Sequence, residues 1–310
     1  METSMKPTIL SQLLIALAAL SLAVTSVGAA EEPKAPFSSL SPDKATPPVR
    51  EQAAEGQLNE EMPVGDNQQP EWTTRRRFAT TRVYVSPPWE VELETWWNGR
   101  FPREGRSEHL FQEEVTVGLP YRFQFDVYEN MTDLPHESFQ RQGEAFEVRW
   151  AFADWGKIPL NPTIYTEWKS NERDPNAYEV ILLFAEELAP RWHWAMNVFW
   201  EQEDSGTRAT ELGWSQAISY ALIDQKLSAG IEMQFEHTTE KGSRSDPEIE
   251  FLVGPSLQWR PTPRTHLDLV PLIGTTSDAP RVEAFVVFGI ELGAGSARKE
   301  AQAPVSTKSR

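Results

Sequence analysis

The stretch GPSLQWRPTPRTHLDLVPLIG, residues 254–274, holds two alternating runs around the tight element RPTPR. Successive side chains of an extended chain point to opposite faces. Leu257, Leu267, Leu269 and Ile273 therefore share one side, while Gln258, His266 and Asp268 share the other. The apolar side is as greasy as a protein core, so the question is which solvent each side meets.

The same period recurs along most of the chain. In WEVELETWW, Trp89, Val91, Leu93, Thr95 and Trp97 oppose Glu90, Glu92 and Glu94; in YRFQFDV, Tyr121, Phe123, Phe125 and Val127 oppose Arg122, Gln124 and Asp126. AFEVRWAF sets Phe146, Val148, Trp150 and Phe152 against Glu147 and Arg149, and WHWAMNVFW sets its tryptophans against His193, Ala195 and Asn197. The closing run VEAFVVFGIEL aligns Val282, Ala284, Val286, Phe288, Ile290 and Leu292. About twelve such runs can be counted, each near the roughly 9 to 11 residues that a tilted strand needs to cross a bilayer.

The connections alternate as well. GRFPREGR, TDLPHESFQRQG, NERDPN, EDSGT and TEKGSRSD are long and polar, whereas LP, LAP and RPTP are short. Short turns at one end, long loops at the other and an even strand count predict an antiparallel up-and-down transmembrane β-barrel over 89–292. A soluble sandwich has no reason for that alternation. On this reading Leu257, Leu267, Leu269 and Ile273 face lipid.

The flanks fit export. Lys6 precedes the apolar run TILSQLLIALAALSLAV and the small residues TSVGAA, the pattern of a secretory signal peptide over 1–30. Residues 31–70, rich in Pro, Glu and Ala, read as a disordered periplasmic linker, 71–88 as a lead-in segment, and 293–310 as a disordered tail. The chain has no cysteine, so disulfides, thiol nucleophiles and lipid acylation are excluded. A formal net charge of -17 argues against nucleic acid. The expected partners are outer-membrane lipids, a small-molecule solute and the barrel-assembly machinery of a Gram-negative envelope.

Of the twelve tryptophans, seven fall at strand ends in this scheme. Trp89, Tyr121, Trp155, Trp192, Tyr220 and Trp259 fall at the short-turn ends of strands, and Trp97, Trp168, Tyr178 and Trp200 near the opposite ends. Two aromatic girdles at headgroup level are expected.

The inward set carries Glu90, Glu92, Glu94, Asp126, Glu147 and Glu211, then Glu232, Glu236, Glu250, Asp268 and Glu283. Against these stand Arg122, Arg149, Lys169, His193 and His266, with Asn197 beside them. If water fills the lumen, such a wall favours cations or neutral solutes; a satisfied polar network closing a narrow barrel is the alternative. Ile181, Leu183, Phe199, Leu252, Val270 and Phe285 imply a dry patch inside. Three features strain the pattern: Glu113 on the lipid side predicts a bulge or a strand projecting above the membrane, and Pro255 and Pro271 should sit at bulges or rims.

FATTRVYVSPPWEVELETWW, VGPSLQWRPTPRTHLDLVPL and FVVFGIEL, within residues 78–292, resemble the outer-membrane transporter barrels associated with phenol meta-cleavage pathways. The resemblance implies a channel or facilitator for small hydrophobic or aromatic solutes. It departs from the usual barrel ending, because Leu292 is followed by a tail.

Catalysis has little support. His136 and Ser138 in PHES have the spacing of barrel lipid hydrolases, but they fall in a loop without an orienting group. The remaining histidines lie on separate strands without metal-ligand spacing, so no catalytic residue, metal or cofactor is expected.

Overall fold

The computed structural model describes residues 58–133 and 139–293. The expected signal peptide, most of the linker, His136, Ser138 and the tail from 294 onward lie outside them. Two short strands, β1 (Pro63–Val64) and β2 (Gln69–Pro70), form a ribbon. Twelve longer strands follow: β3 (Glu90–Phe101), β4 (Glu108–Leu119), β5 (Phe123–Asp133), β6 (Gln140–Ala151), β7 (Thr163–Asn171), β8 (Ala177–Ala189), β9 (Trp192–Glu203), β10 (Thr210–Ile223), β11 (Leu227–Thr239), β12 (Glu248–Thr262), β13 (Thr265–Gly274) and β14 (Val282–Gly293).

Each of the twelve pairs antiparallel with its sequence neighbours, and β14 pairs with β3 from Val282↔Phe101 to Gly293↔Glu90. The sheet is therefore a closed barrel without free edges. Alternation accounts for it directly. Leu257, Leu269 and Ile273 are exposed on the outside, while Gln258, His266 and Asp268 are buried inside. Short turns reverse tightly because Tyr121, Arg122, Arg191 and Gln225 take left-handed φ values of 63°, 67°, 73° and 59°.

Three expectations are corrected. Of the two alternatives at Glu113 the bulge is ruled out, because the register continues unbroken on both sides; its carboxylate accepts a 2.9 Å hydrogen bond from Thr95 Oγ1 on the outer face. Pro255 and Pro271 are neither at rims nor at bulges, since β12 and β13 hold one register on either side of them. The linker also ends earlier than residue 70. Residues 58–70 form a 3-10 turn (Asn59–Glu61) and the β1–β2 ribbon, tied to the barrel where Asp224 Oδ2 accepts from the Asn59 backbone N–H at 2.9 Å and its side-chain amide at 2.7 Å.

Residues 71–88 run inside the barrel. Trp72, Phe78, Tyr84 and Val85 are almost wholly buried, and the segment bonds to side chains from β3, β5, β9, β11 and β12 around the wall. Only a position within the lumen meets all of these strands at once.

Candidate transport lumen

Period 2 stacks Glu90, Glu92 and Glu94 on the inner face of β3, where all three are buried. A row of carboxylates out of water needs compensating charge. The N-terminal segment supplies it through TTRRRFATTR, residues 73–82. Arg76 holds Glu94 through Nε at 2.8 and 2.9 Å and Nη2 at 2.7 Å, and reaches Glu114 at 3.5 Å. Its guanidinium also lies 4.2 Å from the ring centre of Trp96. Arg75 meets Glu291 at 2.5 Å and Glu71 at 3.1 Å, Arg77 meets Glu60 at 3.1 Å, and Arg82 meets Glu114 at 3.6 Å.

These contacts set the protonation of the segment. Burial opposes the charge of Arg75 and Arg82, but the surrounding carboxylates outweigh it and hold both pKa values above the ordinary arginine value. Burial likewise pushes the Glu60 carboxyl up, yet Arg77, Arg260 and His193 overcome it and bring it down to about 2. The Tyr84 hydroxyl, raised by burial and by nearby Asp154, donates to the Ala153 carbonyl at 2.5 Å.

Hydrogen bonds to the backbone of the segment complete the docking. Glu232 accepts from the backbone N–H of Ala79 at 3.3 Å and from Thr80 N–H and Oγ1 at 2.8 and 2.7 Å. Asn197 accepts from Arg82 N–H at 2.7 Å and donates to the Arg82 carbonyl at 2.8 Å; Gln124 accepts from Ser86 N–H at 2.7 Å, and Gln258 donates to the Arg76 carbonyl. Wall side chains thus satisfy backbone groups that an irregular buried segment would otherwise leave unpaired. Trp72 stacks on His193 with ring centres 4.5 Å apart and donates from Nε1 to Glu187 at 2.9 Å.

Among the other residues expected to line the lumen, Arg149 joins Glu147 at 2.5 Å and Asp126 at 3.8 Å, and donates to the Tyr84 carbonyl at 2.9 Å. Glu211, Glu236 and Glu250 are half-buried toward the long loops, Gln234 donates to Glu236, and Arg100 pairs with Glu250 and Glu283. Lys169 gathers Glu201, Glu179 and Glu167 at 2.5, 3.3 and 3.5 Å. The single dry patch becomes two: Tyr165, Ile181, Leu183 and Phe199 on one side, and Trp96, Leu252, Val270, Leu272, Val287 and Phe285 with Ala79 on the other.

Arg122 is a correction. It lies in the β4–β5 turn, away from the acids of β3, and pairs with Asp154 at 2.9 Å, because its left-handed backbone takes it out of the alternation. Trp155 departs too: rather than standing in an outer girdle it packs edge-on against Trp72 at 5.8 Å and Tyr84 at 5.2 Å. Of the other girdle residues, Trp89, Tyr121, Trp192 and Trp259 are exposed at the short-turn end, where Trp192 touches Tyr220 at 5.0 Å. Toward the long loops, Trp168 stacks on Tyr178 at 6.2 Å, Tyr178 meets Trp200 at 5.8 Å, and Trp97 stacks on His109 at 5.8 Å. Trp96 is an inner residue that the sequence reading missed; the alternation of WEVELETWW, which puts it on the face of Glu94, was the signal available, and its place under Arg76 is set by the inner segment.

Space inside is uneven. A cavity of about 540 Å³ opens among Asn98, Arg100, His109, Gln140, Arg141 and Glu283. Beside the arginines of the segment the free volume is only about 30 Å³, room for roughly one water.

No known family profile and no curated protein matches the sequence. The barrel is similar to the solved COG4313 outer membrane channel from Pseudomonas putida F1, with a TM-score of 0.53 and 8% identity over 70% of this chain and 100% of that one. It also overlays on the NanC porin (TM-score 0.46, 9% identity, 66% of this chain and 99% of that one) and on the KdgM porin in complex with disordered oligogalacturonate (TM-score 0.44, 9% identity, 66% and 99%). At these identities the likeness is one of fold.

Proposed function

We propose that the protein is an outer-membrane channel for small solutes of hydrophobic or aromatic character, exported by its signal peptide and inserted by the barrel-assembly machinery, with residues 58–88 acting as a plug. The observation that carries this reading is the contrast in free space. A polar cavity of about 540 Å³ opens toward the long loops, whereas the cavity beside the arginine-rich segment docked on the acidic wall holds only about 30 Å³. The acids then serve two states: they pair with the plug when it is docked, and they face any aqueous path when it is loosened.

Conductance in planar bilayers tests the proposal. The full chain should show rare, brief openings, and a chain lacking residues 58–88 should conduct steadily with preference for cations. Equal conductance of the two would remove the plug from the account. The same tight packing favours a second reading, a closed structural barrel. That reading requires proteoliposomes bearing the intact protein to take up a phenolic solute no faster than empty vesicles.

A further inference from the structure

Gly289 of β14 stands directly between two inner-face residues: it is in register with Glu94 of β3 on one side and with His266 of β13 on the other. Because glycine carries no side chain, the His266 ring lies across this position, and a Cβ there would collide with Nε2. The ring thereby reaches over one strand to the acids of the next. Nε2 lies 3.0 Å from Glu92 Oε1 and 3.4 Å from Glu94 Oε1, and all three groups are buried.

Its other nitrogen is also held. Nδ1 lies 2.7 Å from Asp268 Oδ2, two residues along β13 on the same face. With Nδ1–H donating to this carboxylate, the Nε2 of the neutral ring is the nitrogen free to ligate, and it points at Glu92 and Glu94. One carboxylate oxygen from each of Glu92 and Glu94 and the ring nitrogen thus lie within 4.8 Å of one another, a set of oxygen and nitrogen donors that one divalent cation can bridge. Asp268 Oδ1 is a further buried oxygen without a hydrogen-bond partner.

We infer that Glu92, Glu94 and His266 form a binding site for one divalent metal ion of the zinc or cobalt type, with Asp268 orienting the imidazole. Nitrogen and carboxylate ligands at about 2.0 to 2.2 Å from a tetrahedral centre stand roughly 3.3 to 3.6 Å apart. The separations of 3.0 and 3.4 Å need only a few tenths of an ångström of adjustment. Three protein ligands leave the fourth position to water or to a solute carrying an oxygen donor. The ligands sit on rigid strands, which suits a preorganised site.

Cobalt titration of the full chain, folded in detergent and stripped with EDTA, tests the site. One equivalent of Co²⁺ should bind and produce the visible absorption of a tetrahedral centre, and Zn²⁺ should displace it. His266→Gln should abolish the absorption, Asp268→Asn should weaken affinity about 10- to 100-fold, and His109→Gln should leave both unchanged. Absence of Co²⁺ and Zn²⁺ binding by the correctly folded wild type would overturn the inference in favour of an imidazolium bridging the two glutamates. Undiminished binding by His266→Gln would overturn it equally. Should that variant not fold, the affinity of Asp268→Asn decides: an unchanged value counts against the site.

Discussion

Pro255 and Pro271 face each other across the β12–β13 seam. The register that joins Val253 to Ile273 and Leu257 to Leu269 sets the two prolines directly opposite, and the ladder between those pairs is interrupted. Each proline lacks an N–H, so opposing them confines both missing donors to one gap. Pro255 keeps its pairing with Ile231 on β11, and Pro271 with Ala284 on β14, so the barrel stays closed around the gap.

Replacing both with valine supplies two donors aimed at two carbonyls. We expect the amides of Pro255→Val and Pro271→Val to be protected from hydrogen exchange by roughly fivefold or more each, as a net bond of about 1 kcal/mol implies. Gross stability should change less, because proline also restricts the unfolded chain by about 0.4 to 1 kcal/mol. Rapid exchange at both new amides would show that the strands are held apart by something other than the missing donors.

Docking of the plug's first turn should depend on pH through Glu60. Its carboxyl is brought down from 4.5 to about 2 in the folded chain, so the stabilisation is complete above about pH 5 and is lost as pH falls from 4.5 toward 2. The upper limit is about 3 kcal/mol, at about 1.4 kcal/mol per pH unit. Fluorescence of Trp72, stacked on His193, should report the change over that range. Glu60→Gln should flatten it.

Replacing Glu90, Glu92 and Glu94 together with glutamine removes the charges that face Arg75 and Arg76. If the segment is held by these pairs, single-channel openings should become longer and residues 71–88 more sensitive to protease. A wall that merely lines an open pore predicts a shift in reversal potential with no change in open probability.

The lipid face is tested by Leu269→Arg. Its side chain is exposed on the outside of β13, where a charge near the bilayer midplane costs roughly 2 to 4 kcal/mol. Assembly, read as the heat-modifiable band on gels, should fall sharply, whereas Thr262→Arg at the turn should assemble normally.

Orientation can be read with single cysteines, since the chain contains none. Asp174→Cys and Ser243→Cys, in long loops at one end, should react with an impermeant reagent on intact cells. Thr262→Cys, at the opposite end, should not; labelling confined to position 262 would invert the barrel.

Strand number and the choice of inner face were legible in the sequence. They follow from alternation, which belongs to neighbours along the chain, and from loops whose length and polarity are local properties. That is why Leu257 and Leu269 could be assigned outward and Gln258, His266 and Asp268 inward without coordinates. Arg122 escaped the same rule because one left-handed turn broke the alternation. The tertiary structure alone decided what fills the lumen. Residues 71–88 have no repeating pattern, and the partners that order them come from strands scattered around the wall, so Arg76 meets Glu94 and Glu114 only once the barrel has closed. The meeting of His266 with Glu92 and Glu94 is of the same kind. It depends on the registers of β13 with β14 and of β14 with β3, which place Gly289 between them, and register between distant segments is a property of the closed sheet rather than of any stretch of sequence.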